Sequence, residues 1–528
     1  MKIQEYSRSE FVLGDYLEDL RSENIVAGTV TWTDEAKETP VAHVSYDSRN
    51  VGEDCFFLCK GRNFKRQYLV DAIAQGATAY LAEEDLEVEI PGIIVSDMRR
   101  ALTLCAQRFL EWPQRELALM GITGTKGKST TVSCLLAIFD AWLEAQGQPP
   151  AGIISSIVEF DGFSTLESVL TTPEPLELFT ILRNCVTAGI EHVILESSSQ
   201  GFKYGRLDDI NFTYGSIVNI AEDHISPIEH SDFEDYKAAK LAMIDHCERL
   251  IVNLDVEYSD LMLQKAAEKQ VDVITVSTAE GVAADYRADR IRSTADGLVF
   301  DVRCSREPER DIEDLYVSLH GFFNTQNALV AIAIALETGV DESAIRQALS
   351  EVSVPGRMML FPTDDDAILA VVDYAHNKLS FEALFEWLEK DYPNHKYVAI
   401  FGSTGDKAVN RRLELGVAAG QHADRVYLSS DDVGYEPFDS INADIIPHLD
   451  HYGVPWTADP LRENCIRDAF AQAIELYRET GEQTVVLALG KGDESSVYKD
   501  GVYEPINSDL KVVRLLVDEY NAGLREDD

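Results

Sequence analysis

The sequence predicts an α/β protein of three domains, and three observations carry that reading. At 528 residues the chain exceeds what one hydrophobic core usually serves. From Leu117 onward, short apolar runs alternate with helix-length segments, the pattern of a parallel sheet covered by helices. Near Pro355 the same alternation starts again. Hydrophobic residues make up 45% of the chain, which suits globular domains and argues against wholesale disorder.

Taken in order, the first block spans residues 1–115, with strands expected around Val41–Tyr46, Cys55–Leu58 and Ala77–Leu81. The second, 116–350, has apolar runs at Leu117–Ile122, Gly152–Val158, His192–Leu195, Ser216–Ile220 and Leu250–Leu254. The third, 351–528, has them at Ile368–Asp373, Tyr397–Phe401, Arg425–Leu428 and Thr484–Leu489.

Composition excludes several function classes. The net charge is −46, from 92 acidic against 46 basic residues. Nucleic acid and anionic membranes demand basic surface, so neither is expected as a partner. No apolar run, including that around Ala331–Leu336, approaches a membrane span. The opening MKIQEYSRSEF lacks the basic start and apolar stretch of a secretory signal. Eight cysteines show no redox or zinc spacing, and reduced, buried thiols of a cytoplasmic protein are expected. Oligomeric state leaves no signal, and a monomer is the expectation. If the substrates are polyanions, the few cations must converge on their site.

The segment from Met120 to Thr130 follows an apolar strand and opens a helix. Gly124 and Gly127 let backbone amides approach phosphate oxygens, and the helix N-terminus adds positive potential. Lys128 can reach outer phosphates, and Ser129 or Thr130 offers a hydroxyl to magnesium. Five residues rather than four separate Gly121 from Gly127, so the strict phosphate-loop spacing is not met. Glu196 ends another apolar strand, where α/β sheets present reactive groups, and a carboxylate there suits a hard cation. His224 follows a further strand, beside Asp223. Asn324 precedes an apolar helix that it could cap. Asp47-Ser48-Arg49 reads equally as a simple turn with an ion pair, and Lys240 alone as a solvated helix face.

In this order the motifs resemble those of the Mur ligases. Gly124-Thr125-Lys126-Gly127-Lys128-Ser129-Thr130 looks like their ATP loop, shared with folylpolyglutamate synthases. Asp47-Ser48-Arg49 with Val51–Phe57 and Gly76-Ala77 resembles their uridine-nucleotide domain, which the folate enzymes lack. Thr171-Thr172-Pro173 and Leu195-Glu196-Ser197-Ser198-Ser199-Gln200 resemble the ligases adding the third peptide residue, and Arg206 an arginine contacting the substrate's acidic portion. His224 and Lys240, the latter in Tyr236-x-x-x-Lys240, resemble a second magnesium ligand and a carbamoylated lysine. Asn324 resembles an adenine contact, Arg357 a phosphate contact and Asp373 a ribose contact. Gly402–Asp406 with Asn410-Arg411-Arg412 is a looser version of the family's glycine-rich loop and basic pair.

The resemblance implies an N-terminal UDP-substrate α/β domain, a central P-loop ATPase-like parallel sheet and a C-terminal Rossmann-like domain. It implies ATP and Mg²⁺ as cofactors, with Ser129, Glu196, His224 and Lys240 around the metal and Lys128, Lys240, Glu196 and His224 catalytic. The substrates would be a UDP-linked muramoyl dipeptide, contacted from Ser48, Thr171, Thr172, Ser198, Gln200 and Arg206, and a free amino acid. Where diaminopimelate-adding relatives carry Asp-Asn-Pro-Arg, this chain reads Ser430-Asp431-Asp432-Val433-Gly434. The lost Arg and the retained Asp431, Asp432, Glu436 and Glu494 imply a diamino acid ending in ammonium, lysine before ornithine. A folate-type ligase and a non-catalytic nucleotide-binding regulator are the alternatives.

Overall fold

The computed structural model describes residues 10–61, 64–168, 170–223, 225–226 and 229–527. It is an α/β protein built on three larger sheets, which appear in chain order, and a two-stranded one, Ser496–Lys499 with Val502–Pro505; a cavity opens between the second and third. Among the described residues no helix is long and apolar enough to cross a membrane. All eight cysteines are buried and unpaired.

The first sheet has five strands, with Cys55–Leu58 between His43–Ser45 and Ala77–Ala82, all parallel. Gly92–Val95 continues it, and Val26–Val30 closes the edge antiparallel. Val26–Val30 is absent from the sequence expectation; its short apolar run is interrupted by Gly28 and Thr29, and none of its residues is fully buried.

The second sheet has eleven strands. Its centre is parallel, running from Cys247–Asn253 through Phe212–Ile217, Ala118–Thr123 and His192–Glu196 to Gly152–Ile154. This centre is the parallel sheet expected from the sequence, and both flanks add antiparallel strands to it. One flank, Tyr286–Thr294, Gly297–Cys304 and Ile312–Val317, escapes an apolar-run search because its outward residues are charged. Arg290 and Arg303 both bond Asp301 there, so ion pairs stand where apolar residues would reveal a strand. Gly152–Val158 is also not one strand. It breaks at Ser155, whose hydroxyl accepts from Val158 N, and reverses into Val158–Phe160. That reversal brings Ser156 toward the end of the His192–Glu196 strand. The run expected at Ser216–Ile220 lies earlier, at Phe212–Ile217, leaving Asn219 in a loop.

In the third sheet Thr484–Leu489 inserts between Ile368–Asp373 and Lys396–Phe401, followed by Arg425–Leu428 and Trp456–Ala458, all parallel. Met359–Pro362 closes the other edge antiparallel. Open α/β sheets bind ligands beyond the carboxyl ends of their strands. Here those ends carry Asp373, Leu428 and Leu489, and they face the phosphate-loop end of the second sheet across the cavity.

Candidate active site

The cavity between the two sheets measures about 570 Å³. Its floor is the segment Thr125–Thr130, which leaves the strand Ala118–Thr123 and enters the helix Lys128–Ala145. Gly127, at φ +77°, caps that helix, and a Cβ there would stand 2.3 Å from Asn327 Oδ1. Only glycine satisfies both the left-handed backbone and that approach. Asn219 fixes the loop from the neighbouring strand end: its Oδ1 accepts from Lys126 N at 2.9 Å and its backbone oxygen from Thr125 N at 3.0 Å.

Two lysines converge on one carbonyl. Lys128 Nζ donates to Gly124 O at 3.0 Å, and Lys240 Nζ donates to the same oxygen at 2.7 Å. Lys240 lies on the helix Phe233–Leu241, whose N-cap Asp232 accepts from Asp235 N. The i, i+4 spacing puts Tyr236 and Lys240 on the buried face, with Tyr236 OH donating to Thr125 Oγ1 at 3.1 Å. Lys237 instead pairs with Glu234 at 2.8 Å. Lys240 is therefore no solvated face residue. Burial, then the Lys128 charge, pushes its ammonium well below the usual lysine range, and burial likewise lowers Lys128.

Glu196, fully buried at its strand end, accepts from Ser156 N through Oε2 at 2.9 Å. Its Oε1 is buried with no hydrogen-bond partner. Ser129 Oγ lies 3.1 Å from Ser156 Oγ. A buried carboxylate oxygen left open beside a hydroxyl, in a cavity lined by a phosphate loop, fits a hard cation that keeps water and phosphate among its ligands. Among the described residues no three His, Cys, Asp or Glu side chains form a closed metal cage. His224 lies outside the described residues.

Lys126 Nζ is buried without a partner, and burial pushes its ammonium down to about 6. The unfolded chain, near 10.5, then binds the extra proton between these values, so this group makes the ligand-free fold more stable as pH rises from 6 toward 10. A polyphosphate beside Lys126 opposes that shift. Nucleotide binding at pH 8 is therefore expected to take up about one proton. Calorimetry in buffers of different ionisation enthalpy checks this, and buffer-independent heats would refute it.

The third sheet supplies the opposite wall. The Arg357 guanidinium stacks 3.9 Å above the Tyr374 ring. Asp373 accepts from Met358 N at 2.7 Å and Ala375 N at 2.8 Å, and burial raises its carboxyl despite Arg357. Asn324 does not cap its helix, Phe323–Thr338: it lies inside the first turn, donates back to His320 O at 2.7 Å and accepts from Asn327.

A latch joins the two walls. Asn377 caps the helix Lys378–Asp391 through Oδ1 and donates from Nδ2 to Asp223 Oδ2 at 2.9 Å. Arg411 donates twice to Asp223 Oδ1, at 2.9 and 2.6 Å, in a fully buried pair. Arg411→Ala is expected to destabilise the protein by about 3–5 kcal/mol, because a buried carboxylate loses its cation. Denaturant unfolding measures this, and adding Asp223→Ala should recover part of the loss.

The remaining sequence candidates lie at several separate places. Thr171 lines the cavity, while Thr172, Ser198 and Arg206 form an adjoining cluster: Thr172 Oγ1 accepts from Ser198 N, and Arg206 donates to Thr172 O at 3.0 Å. Arg206 also holds Glu174 at 2.5 Å, which in turn reaches Lys60 of the first block. Gln200 sits on the short helix Ser199–Lys203, which Ser198 caps. Ser48 occupies a turn closed by an exposed Asp47–Arg49 ion pair at 2.8 Å, and it does not line the cavity. Asp431, Asp432 and Glu494 do line it, yet they already surround a cation. Lys491 Nζ contacts Glu494, lies 3.1 Å from Asp432 and 3.9 Å from Asp431, and is 1% exposed. Glu436 is elsewhere, paired with the buried Arg412 at 2.5 Å. Ser156 and Glu174 carry no functional signal in the sequence, whereas Lys491 stands between two glycines and is followed by Asp493 and Glu494.

Comparison with known proteins accords with this architecture. Residues 122–335 match the Mur ligase middle domain, and residues 356–492 match the Mur ligase, glutamate ligase domain. A UDP-N-acetylmuramoyl-L-alanyl-D-glutamate–L-lysine ligase from Enterococcus faecalis is 33% identical over 93% of this chain and 94% of its own. A UDP-N-acetylmuramyl-tripeptide synthetase from Bifidobacterium longum is 32% identical, covering 93% of this chain and 95% of its own. The solved structure of a UDP-N-acetylmuramoyl-L-alanyl-D-glutamate–2,6-diaminopimelate ligase, 25% identical, superimposes with a TM-score of 0.61 over 93% of this chain and 97% of that one. The protein is thus an ATP-dependent, amide-forming ligase. It belongs to the Mur ligase family.

Proposed function

We propose that the protein joins L-lysine to the D-glutamyl residue of a UDP-linked muramoyl-L-alanyl-D-glutamate in peptidoglycan synthesis, acting in the cytoplasm as a monomer. One observation carries this reading. The phosphate loop, the open Glu196 oxygen and the acidic residues around Lys491 share a single cavity. On this reading residues 1–115 bind the UDP portion, 116–350 bind ATP, and 351–528 receive the amino acid.

The D-glutamyl carboxylate attacks the terminal phosphorus of ATP, forming an acyl phosphate and releasing ADP. The neutral amine of the incoming amino acid then attacks the carbonyl carbon, phosphate leaves, and the amine's proton is lost. Lys128 and the amides of Thr125–Thr130 hold the phosphates, and Arg357 and Asp373 hold the nucleotide from the other wall. Thr172, Ser198 and Arg206 orient the acceptor carboxylate, so that attacker and target meet without diffusional search. Mg²⁺ would be held by Ser129 and Glu196, with His224 and a carbamoylated Lys240, and when bound it screens phosphoryl charge.

The amino-acid choice follows from charge. Asp431, Asp432 and Glu494 outnumber Lys491, so the pocket is net anionic. A side-chain ammonium lowers that excess, whereas the second carboxylate of meso-diaminopimelate adds to it. An unpaired buried charge costs several kcal/mol, so discrimination of roughly a thousandfold is expected. Ornithine, one methylene shorter, is disfavoured by about 1–3 kcal/mol. Competition among the three amino acids with ATP and the muramoyl dipeptide, the product identified by mass, tests this. Preference for meso-diaminopimelate would overturn it, and phosphate release with folate and glutamate alone would favour the folate-type ligase.

A further inference from the structure

The acidic residues of the cavity sit on two loops that leave the third sheet at separate strands. Asp431 and Asp432 follow Arg425–Leu428, Glu494 follows Thr484–Leu489, and Lys396–Phe401 lies between these strands. At the cavity surface Lys491 joins the loops by contacting Asp432 and Glu494. Beneath them lies a second junction. Arg462, the first residue of the helix Arg462–Thr480, is 5% exposed. Its Nη1 donates to Ser429 Oγ at 2.9 Å, and its Nη2 donates to Leu489 O at 2.5 Å. Ser429 stands two residues before Asp431, and Leu489 two before Lys491. The guanidinium is itself held by Asp509, through Nε at 2.6 Å and Nη2 at 2.7 Å, at the start of the C-terminal helix Asp509–Asp527.

We propose that Arg462 is a positioning residue for the amino-acid pocket: fixed by Asp509, it sets the spacing between the Asp431–Asp432 loop and the Lys491–Glu494 loop, and so the affinity for a substrate ammonium. This rests on the reading of the pocket given above. A buried arginine–aspartate pair adds little stability over well-packed apolar residues of similar volume. Such residues cannot, however, hold two separate loops by directed hydrogen bonds, which is what the planar, five-donor guanidinium does here. Misplacement of binding groups by about 1 Å can cost 10²-fold in rate.

The test begins with the unaltered enzyme. Failure to form an amide from lysine would sink the pocket reading itself, independently of Arg462. With activity established, Arg462→Leu combined with Asp509→Leu removes both charges and both tethers. The KM for lysine is expected to rise about tenfold or more, while the KM for ATP and kcat at saturating lysine stay within about twofold. Arg462→Lys, which keeps the charge but loses the fork, should show the same selective rise. An unchanged KM for lysine in either variant would overturn the proposal. If the double variant fails to fold, Ser429→Ala decides, since it removes one tether and leaves the ion pair. A selective rise of about threefold supports the proposal, and none refutes it.

Discussion

Lys128→Ala is expected to lower kcat by about 10²–10³-fold, the scale on which single preorganised donors act on developing charge. Its ammonium rests on Gly124 O, in the loop that would receive phosphate, with burial holding it below its ordinary range. It is therefore a donor placed for a phosphate, and truncating it removes a desolvated charge and breaks no direct ion pair among the described residues. Stability should change little. Phosphate release measured beside a thermal melt separates the two effects. A folded Lys128→Ala protein that releases phosphate at the normal rate would show that the loop does not act on ATP through this residue.

Lys240→Ala is expected to be nearly inactive, and short-chain carboxylates such as acetate are expected to restore part of the rate. Lys240 is 2% exposed, donates only to Gly124 O among the bonds found for its Nζ, and sits beside Lys128. Both burial and that neighbour favour the neutral amine. A neutral amine adds to carbon dioxide, forming an N–C bond and losing a proton, and the product is an anion. The amine beside Lys128 would thereby become an anion next to a cation, a pairing that favours the modified form. The alanine variant lacks that anion, and a small carboxylate can supply it from solution. Intact-mass measurement under bicarbonate, or a well-resolved active-site map, reads the modification directly. An unmodified ammonium at residue 240 in the active enzyme would sink the idea.

The central part of this protein was legible from sequence because local rules govern it. A strand, a glycine turn and a helix N-terminus must be contiguous to cradle phosphate, so the segment from Met120 to Thr130 announces itself. Glu196 was legible for the same reason: it ends an apolar strand, and the end of a buried parallel strand is where a sheet offers a side chain to a ligand, whereas Asp373 was singled out only by resemblance. The antiparallel flank from Tyr286 to Val317 was not legible, because arginine–aspartate pairs replace the apolar alternation by which strands are found.

Tertiary structure alone decided the rest. The Tyr236-x-x-x-Lys240 spacing groups Lys240 with Tyr236, but only packing makes that face the buried one and leaves Lys237 on Glu234. Acidity marked Asp431, Asp432, Glu436 and Glu494 alike, but only the fold directs Glu436 to Arg412 and gathers the other three around Lys491. Arg462 and Asp509, or Asp223 and Arg411, carry no sequence signal as pairs, being separated by 47 and 188 residues. The physical reason is common to all of them. A charge's role depends on which opposite charge shares its desolvated space, and that is a property of the folded chain, not of its neighbours in sequence.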